Sequence, residues 1–328
     1  MGVGGEGPRR GWGATIVRLA TTEYLPLGGW LAMWAAVAVF VRPADAARLL
    51  AVTVMTRAIR ELLAMETGLG MRRRWGAEPE IQRRSLRLAT RVELITLGGE
   101  LALLALLAGL LAALDQERAA TALLILGLAF PARHFAPANR GMRRQGLHRT
   151  AIGLAGVVLV GAALLAGWRY EGIAAAVAAR EWLALAITHL PFARPKGPPL
   201  TPQRDDPLRW REVAGITGVR ARARLYYRIT KGLFSIFGPI GSVIVRTGRG
   251  LGAHRKMDRY VPQHPRAAGA LALVLLVAAA GLLALVPEPA TLVLAGGILR
   301  VAAAAGSAAL WAPYATDEPL EDDEDEEE

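Results

Sequence analysis

From Leu27 onward the sequence is partitioned into predominantly apolar blocks of Ala, Leu, Val and Gly, each about 15 to 24 residues long, separated by Arg-rich or Pro/Gly-rich connections. A block of that length is what a helix needs to cross a hydrocarbon core of about 30 Å. The composition agrees, since 53% hydrophobic residues and a mean hydropathy of +0.31 exceed what a soluble surface usually tolerates. The expected class is an all-α polytopic membrane bundle of about eight spans. Blocks at the short end need snorkelling ends or a thinned bilayer, so a count of seven is the rival.

The expected spans are Leu27–Val41, Ala44–Met65, Leu94–Leu114, Ala119–Phe135, Ala151–Trp168, Ile173–Leu190, Ala267–Val286 and Ala290–Trp311. They pair into four hairpins through tiny turns: Arg42-Pro43, Asp115 to Arg118, Arg169 to Gly172 and Pro287-Glu288-Pro289. Between hairpins the loops are long and basic. One carries Arg72, Arg73, Arg74, Arg83, Arg84 and Arg87, the next Arg140, Arg143, Arg144 and Arg149, and Pro191–Arg266 holds sixteen Lys or Arg. With eight spans every basic loop falls on one side, which by the positive-inside rule puts both termini in the cytoplasm of a bacterial inner-membrane protein.

The net charge of +11 is uneven. Ten of the 28 acidic residues lie in Asp317–Glu328, leaving 18 against 39 Lys and Arg, or +21, for the rest. Beside apolar helices that surplus points to anionic lipid headgroups and topology rather than to nucleic acid. The acidic tail, from about residue 313, can bury almost nothing against its own repulsion and is expected to be solvated. Arg9-Arg10 and Ala44-Asp45-Ala46 imitate a cleavable leader, but the apolar run begins too far from Met1 for a signal peptide. With no cysteine, disulfides, thiolate metal sites and thiol nucleophiles are excluded.

The expected organisation is an N-terminal cytoplasmic or interfacial segment over 1–26, six helices over 27–190, a basic linker over 191–266, a helical hairpin over 267–312 and the tail over 313–328. Within the linker, Pro191–Pro207 reads as extended. From Arg224 to Val245, apolar residues recur at steps of three or four until Gly238-Pro239 breaks the period, with Arg224, Arg228 and Lys231 on other faces. This reads as an amphipathic helix on the membrane surface, with a re-entrant segment as the rival.

Ionisable residues inside spans are costly and are the first place to look for function. In the second span Thr53, Thr56, Arg57, Arg60 and Glu61 share a face, and Arg57 can pair with Glu61 at i,i+4. In the third, Glu93, Thr96 and Glu100 form a stripe; the sixth carries Arg180 and Glu181, with Thr188 and His189 towards its end. One account makes these packing ion pairs, such as Arg57–Glu61 or Arg180–Glu100. The other gathers Arg57, Arg60, Arg91 and Arg180 as a cationic lining for a lipid-linked phosphate, with Glu61, Glu93, Glu100 and Glu181 as coupling or ion-pair carboxylates.

Soluble chemistry leaves little trace. Gly248 to Gly252 is Gly-rich, but no Lys-plus-hydroxyl pair follows in phosphate-loop register. His134, His148, His189, His254 and His264 lack the spacing of a helical metal pair and read as interfacial or solvated; no metal, cofactor or catalytic group is expected.

Phe40-Val41-Arg42-Pro43-Ala44-Asp45 resembles the turn after the first helix of oligosaccharide and polysaccharide flippases in the MATE-like superfamily, and Glu66-Thr67-Gly68-Leu69-Gly70 is similar to the exit from their second. Pro131 to Arg144 and the entry Gly172-Ile173-Ala174-Ala175 fit the fourth to sixth. The resemblance covers about residues 27–190, the N-terminal half of such a flippase, and implies a cell-envelope role with lipid-linked glycans. A full member resembles two six-helix lobes, whereas this chain continues into a basic loop, one hairpin and an acidic tail.

The leading expectation is therefore translocation or assembly of a lipid-linked oligosaccharide or other anionic lipid, without enzymatic activity, in a homodimer or larger envelope complex. A non-transporting scaffold, recruiting partners through the loop and tail, is the alternative. A lipid-modifying enzyme ranks last, with His148 and His189 its only candidates.

Overall fold

Why apolar blocks become helices here is a matter of backbone accounting: in an apolar solvent every N–H and C=O must be satisfied within the segment, and Ala and Leu favour the helix. The structure, a computed structural model, describes residues 25–74, 76–135, 145–189, 204–250, 265–285 and 288–315. Among the described residues it is all-α, with no strand.

The first half contains α1 (Leu25–Phe40), α2 (Pro43–Leu63), the single-turn α3 (Thr67–Arg72), α4 (Pro79–Ala113), α5 (Glu117–Gly127), α6 (Phe130–Phe135), α7 (Gln145–Leu165) and α8 (Tyr170–His189). The second contains α9 (Trp210–Ala223), α10 (Leu225–Leu233), a 3-10 turn (Phe234–Phe237), α11 (Gly238–Gly250), α12 (Pro265–Leu285) and α13 (Pro289–Trp311), closed by a 3-10 turn at Ala312–Tyr314. Proline opens α2, α4 and α13 within their first two positions, where its missing N–H leaves no helical bond unmade.

Among the described residues, three helices are long and apolar enough to cross a membrane: Pro79–Ala113, Arg266–Leu285 and Pro289–Tyr314. Gly28–Phe40 and Ala151–Leu165 are shorter apolar helices. The other expected spans depart for identifiable reasons. α2 and α8 are diluted by interior charge, and the fourth breaks after α5, where Pro131 cannot supply the N–H that would continue the ladder. α4 instead overshoots: it starts at Pro79 and its 35 residues extend about 52 Å, so the Arg83–Arg87 stretch expected in a loop is helical.

Three of the four expected hairpins pack as hairpins: α4 on α5, α7 on α8, and α12 on α13. The first does not. α1 lies chiefly against α7, because Gly29 and Gly153 let the two backbones meet; a methyl group at Gly29 would sit 2.9 Å from the Gly153 carbonyl carbon. α13 is pressed onto α2 by a small-residue face that includes Ala295, Gly296, Ala302 and Ala303, with a methyl at Gly296 placed 3.2 Å from the Ala51 carbonyl oxygen. The core between these helices is filled by Leu49, Val52 and Met55 of α2, Leu104 and Leu111 of α4, Leu123 and Leu126 of α5, and Ile173 and Val177 of α8.

Ion pairs gather the two sets of connections at separate places. Among the short turns, Arg118 reaches Asp45 at 3.1 Å and Glu171 at 3.3 Å, with its guanidinium 5.0 Å from the Tyr170 ring centre. Among the basic connections, fully buried Arg74 donates to both oxygens of Glu212 at 2.5 and 2.6 Å, to Asp206 Oδ1 at 3.2 Å and to the carbonyls of Gly70 and Asp206. The end of the expected extended linker is thereby docked, with the Leu208 N–H donating to Ser85 Oγ at 2.9 Å; its earlier part lies outside the described residues.

The single surface helix expected over Arg224–Val245 is three pieces. The period does break at Gly238, whose φ of 60° suits a residue without Cβ. α10 packs against α13, with Gly232 on Val301, and Arg228 turns inward to Ser307 Oγ at 3.3 Å, Glu61 at 3.9 Å and Glu66 at 4.0 Å. Arg228 is thus a contact within the bundle, a correction to its expected place on the membrane surface. Arg224 is half-buried, and Lys231 has its amine 5.8 Å from the Tyr227 ring centre. The Glu61 carboxylate between α2, α10 and α13 draws Arg228 in. The acidic tail beyond residue 315 and residues 1–24 lie outside the described residues.

Candidate functional site

The face shared by Thr53, Thr56, Arg57, Arg60 and Glu61 is contributed by α2, but its members have different roles. The hydroxyls of Thr53 and Thr56 donate back to the carbonyls of Leu49 and Thr53 at 2.7 and 2.9 Å, which removes them from any lining. Glu61 does not pair with Arg57. It accepts from Arg300 of α13 at 3.2 Å, because the small-residue face of α13 brings that guanidinium against α2. Arg57 instead lies over the Trp30 ring of α1, 4.6 Å from its centre.

The stripe on α4 is real, and it meets a group that sequence reasoning placed elsewhere. His134 of α6 stands between the two glutamates, Nδ1 2.5 Å from Glu93 Oε2 and Nε2 2.9 Å from Glu100 Oε2. The Thr67 hydroxyl of α3 donates to the other Glu93 oxygen. Far from being interfacial or solvated, the His134 side chain is 9% exposed, and Glu100 pairs with it rather than with Arg180.

On α8, Glu181 accepts from Arg133 of α6 at 2.9 Å, while the neighbouring Arg180 approaches Glu181 only to 3.8 Å and donates to Met33 Sδ at 3.3 Å. Both are nearly inaccessible, and the Arg180 Nε is buried without a hydrogen-bond partner. Gly156 of α7 lies against the contact between Arg180 and Met33, where a methyl would sit 3.0 Å from the Met33 Sδ and 3.4 Å from the Arg180 Cδ.

Interior charge from α2, α4, α6, α8 and α13 therefore converges. Arg57 lies in the field of Arg300, Arg180, Arg133 and Glu181, and Arg60 in that of Arg133, Glu100, Glu181 and Glu93. Once Glu61 is paired with Arg300, Glu181 with Arg133, and Glu93 and Glu100 with His134, no carboxylate remains for two guanidiniums. Among the described residues neither Arg57 nor Arg60 forms a hydrogen bond or ion pair, and both are half-buried.

Of the expected cationic lining, Arg57, Arg60 and Arg180 come together. Arg91 does not: it is exposed on α4, facing away from the Glu93–Glu100 stripe, and Arg133 and Arg300 stand in the cluster instead. Arg300 was legible as the lone charge in an apolar helix of 23 residues. Arg133 and His134 close the fourth apolar block, where charge reads as a span end. The side chains of His148 and His189, and all of His254 and His264, lie outside the described residues. No group of three His, Cys, Asp or Glu among the described residues is arranged to hold a metal ion.

Fold and site together define a class: among the described residues, an all-helical protein with three helices long and apolar enough to cross a membrane and a charged interior walled by α2, α4, α6, α8 and α13. No protein-family model, no curated protein and no solved structure matches the chain.

Proposed function

We propose that this is an eight-span bacterial inner-membrane protein, with both termini cytoplasmic, that binds a lipid-linked phosphate in its interior and takes part in translocating or assembling the attached glycan. The observation that carries the reading is the pair of interior arginines, Arg57 and Arg60, left among the described residues without a carboxylate while Glu61, Glu93, Glu100 and Glu181 are engaged elsewhere. A desolvated guanidinium is expensive unless its charge is met, and its planar fork of donors matches a phosphate. Arg180, with its unpartnered Nε, adds a third donor group to the same neighbourhood.

The fourth hairpin supports this reading over a detached accessory role. It is packed on α2 and supplies Arg300 to the charged interior, so it forms part of the wall of the site rather than a separate attachment. Reconstitution into liposomes with a fluorescent, short-chain polyprenyl phosphate glycan tests the proposal. Wild-type protein accelerates its passage between leaflets, and the triple substitution Arg57→Gln, Arg60→Gln, Arg180→Gln abolishes that passage while the protein remains inserted. Equal passage with the triple variant overturns it.

A further inference from the structure

Each nitrogen of His134 lies against a carboxylate oxygen, and each such contact needs one proton. The cluster Glu93–His134–Glu100 therefore holds two protons and one net negative charge, whether drawn as an imidazolium between two carboxylates or as a neutral imidazole beside one carboxylic acid. Both ring nitrogens are engaged, so the imidazole is not free to act as a base on a substrate. Spare capacity lies only at the outer oxygens. Glu93 Oε1 already accepts from Thr67, but Glu100 Oε1 is buried with no partner, on a residue that is 1% exposed. A third proton has that oxygen as its destination and takes the cluster from one negative charge to none.

We propose that Glu93–His134–Glu100 is a proton-binding site linked to the anion site, one proton being taken up for each anionic charge bound at Arg57 and Arg60. The linkage rests on the functional reading above; the proton site itself does not. The surroundings give its sign. From α2, Arg60 lies in the field of Glu100 and Glu93; α6 adds Arg133, α8 adds Arg180 and Glu181, and α3 faces the cluster with the uncharged Thr67. The charged residues of α5, Glu117 and Arg118, belong to the short turn at its start, and Arg118 is held there by Asp45 and Glu171. Protonating the cluster takes away its share of the negative field at Arg60, leaving only that of Glu181, and so makes more of that guanidinium's charge available to an incoming anion. An anion already at Arg60 in turn favours the proton, since coupling between two sites is reciprocal. Glu93 and His134 form part of the wall of a cleft of about 100 Å³ with Thr67, Met71, Thr90 and Leu97, room for a few water molecules beside the Glu93 end of the cluster, from which His134 leads to Glu100.

Titration calorimetry on the full-length protein in micelles tests the linkage, with methyl farnesyl phosphate as probe because a phosphodiester keeps one charge over the range used. Comparing two buffers of different ionisation enthalpy reads protons taken up on binding. Wild-type protein takes up close to one, and its affinity rises by up to about tenfold per unit fall in pH. Glu100→Gln, fixed in the neutral state, binds the probe without proton uptake or pH dependence. Binding by wild type with no proton uptake overturns the linkage, and that result does not depend on any variant folding. Absence of probe binding in any buffer counts against the anion site itself, and with it the linkage. Infrared difference spectra on acidification test the proton site without an anion: wild type and Arg60→Gln are expected to gain one carboxylic-acid group more than Glu100→Gln does, the acidic tail contributing equally to all three. Equal gains in wild type and Glu100→Gln overturn the proton site.

Discussion

Replacing Arg74 by methionine removes the fully buried guanidinium from the side chains that hold α9 at the α3 turn, the others being Thr217 and Arg220, which meet Glu66 at 3.0 and 2.8 Å. The guanidinium is 0% exposed and donates to both oxygens of Glu212, a side chain 12% exposed, and to Asp206, which is 45% exposed. Breaking a buried pair from one side costs about 3–5 kcal/mol, chiefly because the abandoned charge stays buried. Asp206 recovers water when released, so nearly all the penalty falls on Glu212 and on the carbonyls of Gly70 and Asp206, and the lower end, about 3 kcal/mol, applies. Since 1.36 kcal/mol is a factor of ten, local opening of α9 should become about 150-fold easier. Hydrogen-exchange mass spectrometry reads this as lost protection confined to Asp206–Ala223, with α5 unchanged. Adding Glu212→Leu, which removes the stranded charge, should restore at least half of the protection. If Arg74→Met changes exchange in α9 by less than about twofold, the buried pair is not what holds the segment and the reasoning fails.

Other expectations follow from the same contacts. Gly296→Leu must displace the Ala51 carbonyl oxygen and Val54, so thermal unfolding followed by tryptophan fluorescence should show a loss of about 1–3 kcal/mol. Arg118→Gln removes a half-exposed guanidinium and leaves Asp45, itself largely buried, still paired with Arg48 at 3.1 Å, so it should cost about 1 kcal/mol, less in high salt. Thr53→Val combined with Thr56→Val should leave binding of methyl farnesyl phosphate within about twofold of wild type, because both hydroxyls are already bonded to their own helix.

What the sequence made legible was whatever depends on neighbours along the chain. Proline starts, tight turns, the break at Gly238 and the i,i+7 stripe of Glu93 and Glu100 are all local. Pairing across the bundle was not. The tight Arg42-Pro43 turn suggested that α1 would lie on α2, yet the closer fit of Gly29 to Gly153 took it to α7. Arg57 and Glu61 have the spacing of an ion pair, but Arg300, 239 residues further on, reaches the carboxylate. His134 looked like the polar end of a span because its partners are 34 and 41 residues away. The start of α4 was hidden for another reason: an Arg-rich run is as compatible with a loop as with a solvated helix face, and its buried Ser85, Ala89 and Val92 are too modest an apolar signal to decide.

The central claim is that an anionic lipid supplies the negative charge that Arg57 and Arg60 do not find in a carboxylate among the described residues. Mass spectrometry of the lipids retained by gently purified protein tests this most directly. Wild-type protein should retain a phosphate-bearing lipid, glycan-linked where the host makes one, and Arg57→Gln with Arg60→Gln should lose that species while keeping the bulk lipids. An identical lipid complement on both proteins would contradict the account.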